Sequence, residues 1–552
     1  MIPERAPDED PLDQDAEQQP ADDRAIREWF LRENERRNPA TDLRLFTTGN
    51  DVIPLIDGRS YFRRLHEELT ATVAGDQIYF ADFRGDMDEL LDGPGTGVGQ
   101  MLIEAARRGV AVFGLLWRSH PSWLHQSEEA NAELAREISD NGGHVLLDAR
   151  TRRAGSHHQK LVVIRHPEAR ERDIAFVGGI DLGFSRGDDS EHLGDEQVMP
   201  FPDAYGPRPA WHDIQAEVRG PAVHDLEHTF RERWYGSSVL DVPSPLRMLY
   251  DRAYHAGAMT GRPLPEPLPD DERTVGSKSV QVLRTYPARL RRYPFAPHGE
   301  RSIAHAYRRA FTRARRLVYL EDQYLWSAGV AEVVGEALAS NPKLRVVVIV
   351  PRHSDHSGRV KTPPAHYGRQ EALRLCGEAG GERFQVYDLE NDKGTPVYVH
   401  AKVVVIDDVW AMIGSDNLNR RSWTHDSELS IAVLDRAPDD REPRDPAALG
   451  DCARVFARDL RLRLMAEHLG RADDELDDLI DPDEAAAAVA ASAAELRTWY
   501  AGDRQGPRPS GRLLPHEPPG LSRLDQAWAR PIYRVLYDPD GRAWRDRLRR
   551  RS

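Results

Sequence analysis

The stretch Val399–Val433, VHAKVVVIDDVWAMIGSDNLNRRSWTHDSELSIAV, decides the reading of this chain. His400, Lys402 and Asp407 stand in it as H-x-K-x-x-x-x-D, followed by Gly414-Ser415-x-Asn417 and then Glu428. Side chains along a strand alternate faces, so His400 and Lys402 point the same way while Ala401 points away. An imidazole beside an ammonium makes an anion site. The lysine neutralises phosphate charge, and the imidazole can attack phosphorus or pass a proton. Alone, such a triplet is ordinarily a solvated strand end. The glycine turn, the Asn417 amide that can donate to a phosphoryl oxygen, and a Glu428 able to hold the other nitrogen of a histidine give it chemical purpose.

The same stretch occurs earlier. Ser156–Leu182 reads SHHQKLVVIRHPEARERDIAFVGGIDL, with His158 and Lys160 two apart, an apolar strand, then Gly178-Gly179 and Asp181. The flanks repeat too. Asp76–Phe83 reads as a strand, Gly99–Arg108 as a helix and Val110–Trp117 as a buried strand. Ser302–Arg315 (helix), Arg316–Gln323 (strand), Val330–Ala339 (helix) and Leu344–Val350 (strand) follow in matching order, the pattern of an internal duplication. Alternating strands and helices imply an α/β fold with helices covering a mainly parallel sheet.

The expected organisation is an acidic disordered tail over 1–23, a first half over 24–256, a Pro/Gly-rich linker over 257–277, a second half over 278–470 and a helical extension over 471–552. The first ordered element is expected as a helix near Arg24–Asn38, and the Ala-rich run Glu484–Glu495 as a structural helix.

Composition narrows the function. The 552 residues hold 91 acidic against 75 basic side chains, a formal charge of -16 that weighs against a nucleic-acid partner. No apolar run approaches membrane-spanning length, and the N-terminus lacks a secretory pattern, so a cytoplasmic protein that touches membranes peripherally is expected. Cys376 and Cys452 are expected to be free thiols. His157 beside His158 faces the opposite side of its strand, and His212 is read as packing, so no metal site is expected. His353 and His356 fall in a polar loop read as solvated.

HHQKLVV, FVGGIDL, WHDI (Trp211–Ile214), VQVLRTYP (Val280–Pro287), EDQY (Glu321–Tyr324), the second motif and LRLRLMAEHLG (Leu460–Gly470) resemble, in order, the phospholipase D superfamily and its eukaryotic-type members in particular. The resemblance spans roughly residues 75 to 470. It implies two α-β-α sandwich halves related by a pseudo-twofold axis, and no cofactor. It implies that His158 attacks phosphorus, that protonated His400 serves the leaving alcohol, and that Lys160, Lys402 and Asn417 stabilise the charge. Asp213 would orient His158 and Glu428 would orient His400. Gln323, Tyr324, Ser415 and Asp181 are the expected substrate contacts, with Asp407, Gly178, Gly179 and Gly414 shaping the motifs. Arg165 departs from the pattern, standing where the family has the first motif's aspartate, and Asp173 is the expected substitute across the hairpin. The lipid-binding modules that precede the catalytic region in eukaryotic relatives are not expected. The implied activity is hydrolysis of a glycerophospholipid to phosphatidic acid and an alcohol at a membrane surface, with transphosphatidylation possible. A cardiolipin-synthase-like transferase, a nuclease, and a degenerate lipid-binding member are the alternatives.

Overall fold

The structure, a computed structural model, describes residues 21–119, 127–235, 262–270, 272–355, 362–472, 474–543 and 547. Seven strands build the first half: β1 (Thr47–Ile56), β2 (Gln77–Asp82), β3 (Ala111–Trp117), β4 (His144–Asp148), β5 (Leu161–Arg165), β6 (Ile174–Gly178) and β7 (Ile214–Arg219). Seven build the second: β8 (Lys278–Tyr286), β9 (Leu317–Asp322), β10 (Arg345–Ile349), β11 (Phe384–Leu389), β12 (Lys402–Ile406), β13 (Trp410–Gly414) and β14 (Glu428–Asp435). A last strand, β15 (Leu513–Pro515), adds to the β11 edge.

All fifteen lie in one sheet, in the order β15-β11-β10-β9-β12-β13-β14-β8-β1-β7-β6-β5-β2-β3-β4. Apart from β15 the order is a palindrome, in which each first-half strand meets its counterpart seven strands later. This is the duplication read from the sequence, folded about the antiparallel β1–β8 pair at the centre. Only β2-β3-β4 and β9-β10-β11 run parallel, and every other junction along this path is antiparallel. The expectation of a mainly parallel sheet is therefore corrected. The helical crossovers fall only within the outer three strands of each half, while the motif strands are hairpins, which pair antiparallel.

The motif strands read as continuous valine and isoleucine because both faces are covered. In β12, Val403 and Val405 face a core shared by both halves, whereas Val404 and Ile406 face a core of the second half alone. In β5, Leu161 and Val163 join the shared core, and Val162 and Ile164 join the first half's own. The sheet is thus one body with a common layer on one side and two separate layers on the other.

Three boundaries shift. The helix expected near Arg24–Asn38, at the start of the first half, is two helices, Ala21–Trp29 and Glu33–Arg36; Ala25, Ile26 and Trp29 pack into the second half's core, and the Trp29 indole donates to Asp451 at 3.2 Å. Of the expected linker, residues 257–261 and 271 lie outside the described residues. Its described part is docked: Leu264 is buried, and Arg231 donates to the Pro265 carbonyl at 2.8 Å. The C-terminal extension is not only helical, since it supplies β15 as well as the helix Pro482–Ala501. Of the expected tail, residues 1–20 lie outside the described residues. Cys376 and Cys452 are free.

Candidate active site

The two His-x-Lys motifs lead into equivalent strands, β5 and β12, and each is clamped at its start by the other half. The His158 N–H donates to the Ser427 carbonyl at 2.9 Å, just before β14. The His400 N–H donates to the His212 carbonyl at 2.7 Å, just before β7. A short parallel pair, Val397–Val399 with Ala210–His212, reinforces the second clamp.

The side chains follow the same exchange. His158 Nδ1 lies 2.9 Å from Glu428, and His400 Nδ1 lies 2.6 Å from Asp213. This reverses the sequence expectation, which gave Asp213 to His158 and Glu428 to His400. Glu428 opens β14 and Asp213 precedes β7, so they are equivalent positions, and each strand delivers its carboxylate across the axis. With Nδ1–H donated to a carboxylate, each ring presents Nε2 to the pocket, as a base or nucleophile requires.

The lysines are buried beneath the rings. Lys160 donates to the His158 carbonyl at 3.0 Å and forms an ion pair with Asp181 at 3.1 Å. Lys402 donates to the His400 carbonyl and reaches Gln323 at 3.4 Å. Gln323 donates in turn to the Tyr398 hydroxyl at 2.6 Å, and the Tyr324 hydroxyl meets Asp355 at 2.9 Å. Gln323, Tyr324 and His353 line one small cavity whose lining includes neither His-Lys pair; His353 is half-buried there, and His356 lies outside the described residues. Asn417 is buried, and its side-chain oxygen has no hydrogen-bond partner.

Ser415 departs from expectation. Its hydroxyl donates to Glu428 at 2.6 Å and accepts the Leu429 N–H at 3.0 Å, so it steadies a carboxylate rather than facing substrate. At the equivalent position Gly179 leaves no room for a side chain, because a Cβ there would lie 2.2 Å from Asp213. Gly414 is required similarly, with Ser430 in the space of its missing Cβ.

Electrostatics separates the two halves of the pocket. Burial, with Lys402 and Arg186 nearby, holds His400 well below the ordinary imidazole value, so it is neutral at pH 7. Burial also lowers Lys402 to about 8, against the pull of Asp213, and raises Asp213 to about 6 against that of Lys402. Burial pushes Asp181 up, but Lys160 and Arg186 outweigh it and leave the carboxylate well below its usual range. A chain of contacts joins the two motifs: Lys160 lies 3.1 Å from Asp181, Asp181 3.3 Å from Arg186, Arg186 4.1 Å over the Trp211 ring, and that ring 5.2 Å from the His400 ring.

Sequence reasoning missed Arg186, which bonds Asp181 at 3.3 Å and stacks 4.1 Å over the Trp211 ring. Its signal was position: it follows GGIDL by four residues. A second omission lies behind the pocket. Asp57, His192, His212 and Glu467 place one ligand atom each within 4.8 Å of one another, and His212, Glu321 and His468 form an adjoining group. His212 has Asp57 at 2.9 Å on Nδ1 and Glu321 at 2.8 Å on Nε2. Burial opposes charge on this ring, yet Glu321 and Asp57 hold it well above the ordinary imidazole value, so it stands as an imidazolium. These residues have the donor set for a divalent cation, and coordination there requires His212 to give up a proton. The reading of His212 as packing is thereby corrected to a buried charge. His157, fully buried 3.5 Å from Asp148, is neutral and belongs to neither group.

A family model described as phospholipase D matches residues 87–331 and 378–519. The chain belongs to the phospholipase D family. A second model, described as cardiolipin synthase, PLD-like domain, matches residues 307–441. Phospholipase D alpha 1 of Oryza sativa subsp. japonica is 25% identical over 549 residues, covering 76% of this chain and 65% of its own length. Phospholipase D1 of Schizosaccharomyces pombe is 26% identical over 477 residues, covering 69% of this chain and 32% of its own length. This phospholipase D family member therefore spans less than two thirds of these relatives. Among solved structures it is similar to a phosphatidylserine synthase of Haemophilus influenzae Rd KW20, with a TM-score of 0.49, 15% identity, and coverage of 75% of this chain and 86% of that one. No helix among the described residues is long and apolar enough to cross a membrane.

Proposed function

We propose that the protein hydrolyses a glycerophospholipid to phosphatidic acid and a free alcohol through a phosphohistidine. The observation that carries this reading is the reciprocal pairing of His158 with Glu428 and His400 with Asp213, above two buried lysines. A phosphodiester resists attack because its charge repels nucleophiles and its alkoxide leaves poorly. Lys160, Lys402 and Arg186 answer the first difficulty, and a proton donor answers the second.

In the first step His158 Nε2 bonds to phosphorus as the P–O bond to the head-group alcohol breaks. His400 Nε2–H supplies the proton that the leaving oxygen takes up. His400 is neutral without substrate, so it acquires that proton only when phosphate charge offsets Lys402 and Arg186. In the second step His400 removes a proton from water, the water oxygen bonds to phosphorus and the P–N bond breaks. An alcohol in place of water gives a phosphatidyl-alcohol, and the match to the cardiolipin synthase model favours including this transfer within the activity.

The test is to incubate the protein with phosphatidylcholine in mixed micelles, with and without a short alcohol, and separately with single-stranded DNA. Phosphatidic acid, a phosphatidyl-alcohol when alcohol is present, and loss of both products in H158A and H400A are expected. Cleaved DNA with untouched lipid overturns the reading. Labelled phosphoenzyme is expected in H400A and absent in H158A, and the reverse result exchanges the two roles.

A further inference from the structure

Two segments present apolar side chains to solvent without covering them. Pro287–Arg292 forms a turn whose tip, Leu290, is 104% exposed. The helix Arg523–Ile532 continues through Tyr533–Tyr537 and turns Ala529 and Tyr533 inward, leaving Leu524 81%, Val535 66% and Leu536 53% exposed. Leu290, Leu524 and Val535 are the three most exposed large apolar side chains among the described residues. Leu524, Ala527, Pro531 and Val535 recur at helical spacing on the outward face, the reverse of the usual amphipathic helix.

The charges beside them are also unusual for this chain. Arg289, Arg291 and Arg292 flank Leu290, and Arg523, Arg530 and Arg534 flank the helical stripe, against Asp525 as the one acidic residue in both segments. This occurs in a protein whose formal charge is -16.

Both segments are tied to the stretch that leads into the first motif. The Ala288 N–H donates to the Gly541 carbonyl at 3.3 Å, and Arg152 bonds both the Ala288 and Gly541 carbonyls. Arg421 reaches the Leu536 carbonyl at 3.3 Å, the Ala154 carbonyl at 2.9 Å and Asp426 at 2.7 Å. Asp426 accepts the Ser156 N–H at 3.0 Å, two residues before His158. His158 is the more open of the two imidazoles, at 13% side-chain exposure against 6% for His400.

We propose that this arginine-flanked aliphatic rim is the surface by which the protein seats on an anionic phospholipid bilayer, with the pocket opening toward the lipid. The inference deepens the lipid reading of the site and rests on it. Exposed aliphatics enter the acyl boundary while arginines meet the phosphates, a combination that suits an interfacial helix and gains roughly fivefold in binding per arginine near an anionic surface. A symmetric contact with a second copy would set these arginines against their own counterparts, whereas an anionic bilayer neutralises them, which selects the bilayer.

The full chain and the variant Leu290→Glu/Val535→Glu/Leu536→Glu are sedimented with vesicles of phosphatidylcholine, with or without about one third phosphatidylglycerol. The unmodified protein is expected to pellet with anionic vesicles at least about tenfold more than with neutral ones, and the variant to lose this preference. Both should melt at the same temperature, because the substituted side chains are exposed. Both should also hydrolyse dibutyryl phosphatidylcholine, dissolved as monomers, at equal rates. A variant that binds anionic vesicles as the unmodified protein does overturns the proposal. So does light scattering that gives the unmodified protein twice the variant's mass, which assigns the rim to a second copy. Vesicle binding without turnover of either lipid upholds the rim and removes the hydrolase reading instead.

Discussion

At the scale of single residues, each imidazole is positioned by a carboxylate that sequence order assigns to the other. The exchange gives opposite expectations for two conservative changes. Glu428→Gln should slow attack on phosphorus and leave little label, whereas Asp213→Asn should slow both protonation of the leaving alcohol and activation of water, so that label forms slowly and persists. Each change should lower kcat by at least about 100-fold, measured by rapid quench. A single arginine tunes the same pair. Arg186 disfavours the proton on His400, so in Arg186→Gln the His400 ionisation should move to higher pH. The pH profile of kcat/KM reads that shift, and an unchanged profile would show that Arg186 acts on substrate alone. The candidate residues were legible because two His-x-Lys triplets recur with the same downstream glycines. Their partners were not, since no local pattern records which strand crosses the axis.

At the scale of elements, the two motif hairpins are closed differently. Asp407, with φ of 52°, accepts the N–H groups of Arg315, Arg316 and Leu317 at 2.7, 2.8 and 2.9 Å, fixing the start of β9. In the first half Asp173, the expected substitute for the missing motif aspartate, accepts the His166 N–H at 2.7 Å and pairs with Arg165 at 3.1 Å. It does not cap β2 as Asp407 caps β9. Asp76, which precedes β2, accepts the Val73 N–H at 2.8 Å and faces His166 at 2.9 Å. Asp407→Ala strands one buried and two part-buried donors and should cost about 2–4 kcal/mol of unfolding free energy, whereas Asp173→Ala, which also leaves Arg165 with Glu227 alone, should cost about 1–3 kcal/mol. Urea titration measures both, and kcat on monomeric substrate should stay within about threefold for each. Helix and strand order was visible in the sequence because periodicity is local. Strand direction was misjudged because a parallel outer sheet and an antiparallel inner one share the same apolar runs.

For the whole molecule, buried histidines oppose one another. Burial lowers His305, His366 and His425 to about 4, and it lowers His157 and His400 further. Their unfolded value is about 6.5, so the stability tied to their neutrality is complete above that pH and is lost as pH falls toward 4. Carboxylate neighbours raise His192 and His212 despite burial. Their contribution is complete below pH 6.5 and is lost as pH rises through their folded values. The melting temperature should therefore peak near neutrality and fall by at least about 5 °C on the acid side before pH 4.5. A flat profile by circular dichroism between pH 4 and 7 would contradict it. The sequence could not show this balance, because Asp57, His192, His212, Glu321 and Glu467 are scattered over more than 400 positions and meet only in the fold.

The central β1–β8 seam carries a further consequence. Because either ring leans on a carboxylate from across that seam, competence depends on the two lobes staying in register, and a slip of one strand would misalign both rings together. Catalysis should therefore fade under mild denaturant before helicity does. The enzyme's own turnover would then serve as the most sensitive gauge of whether its lobes are joined.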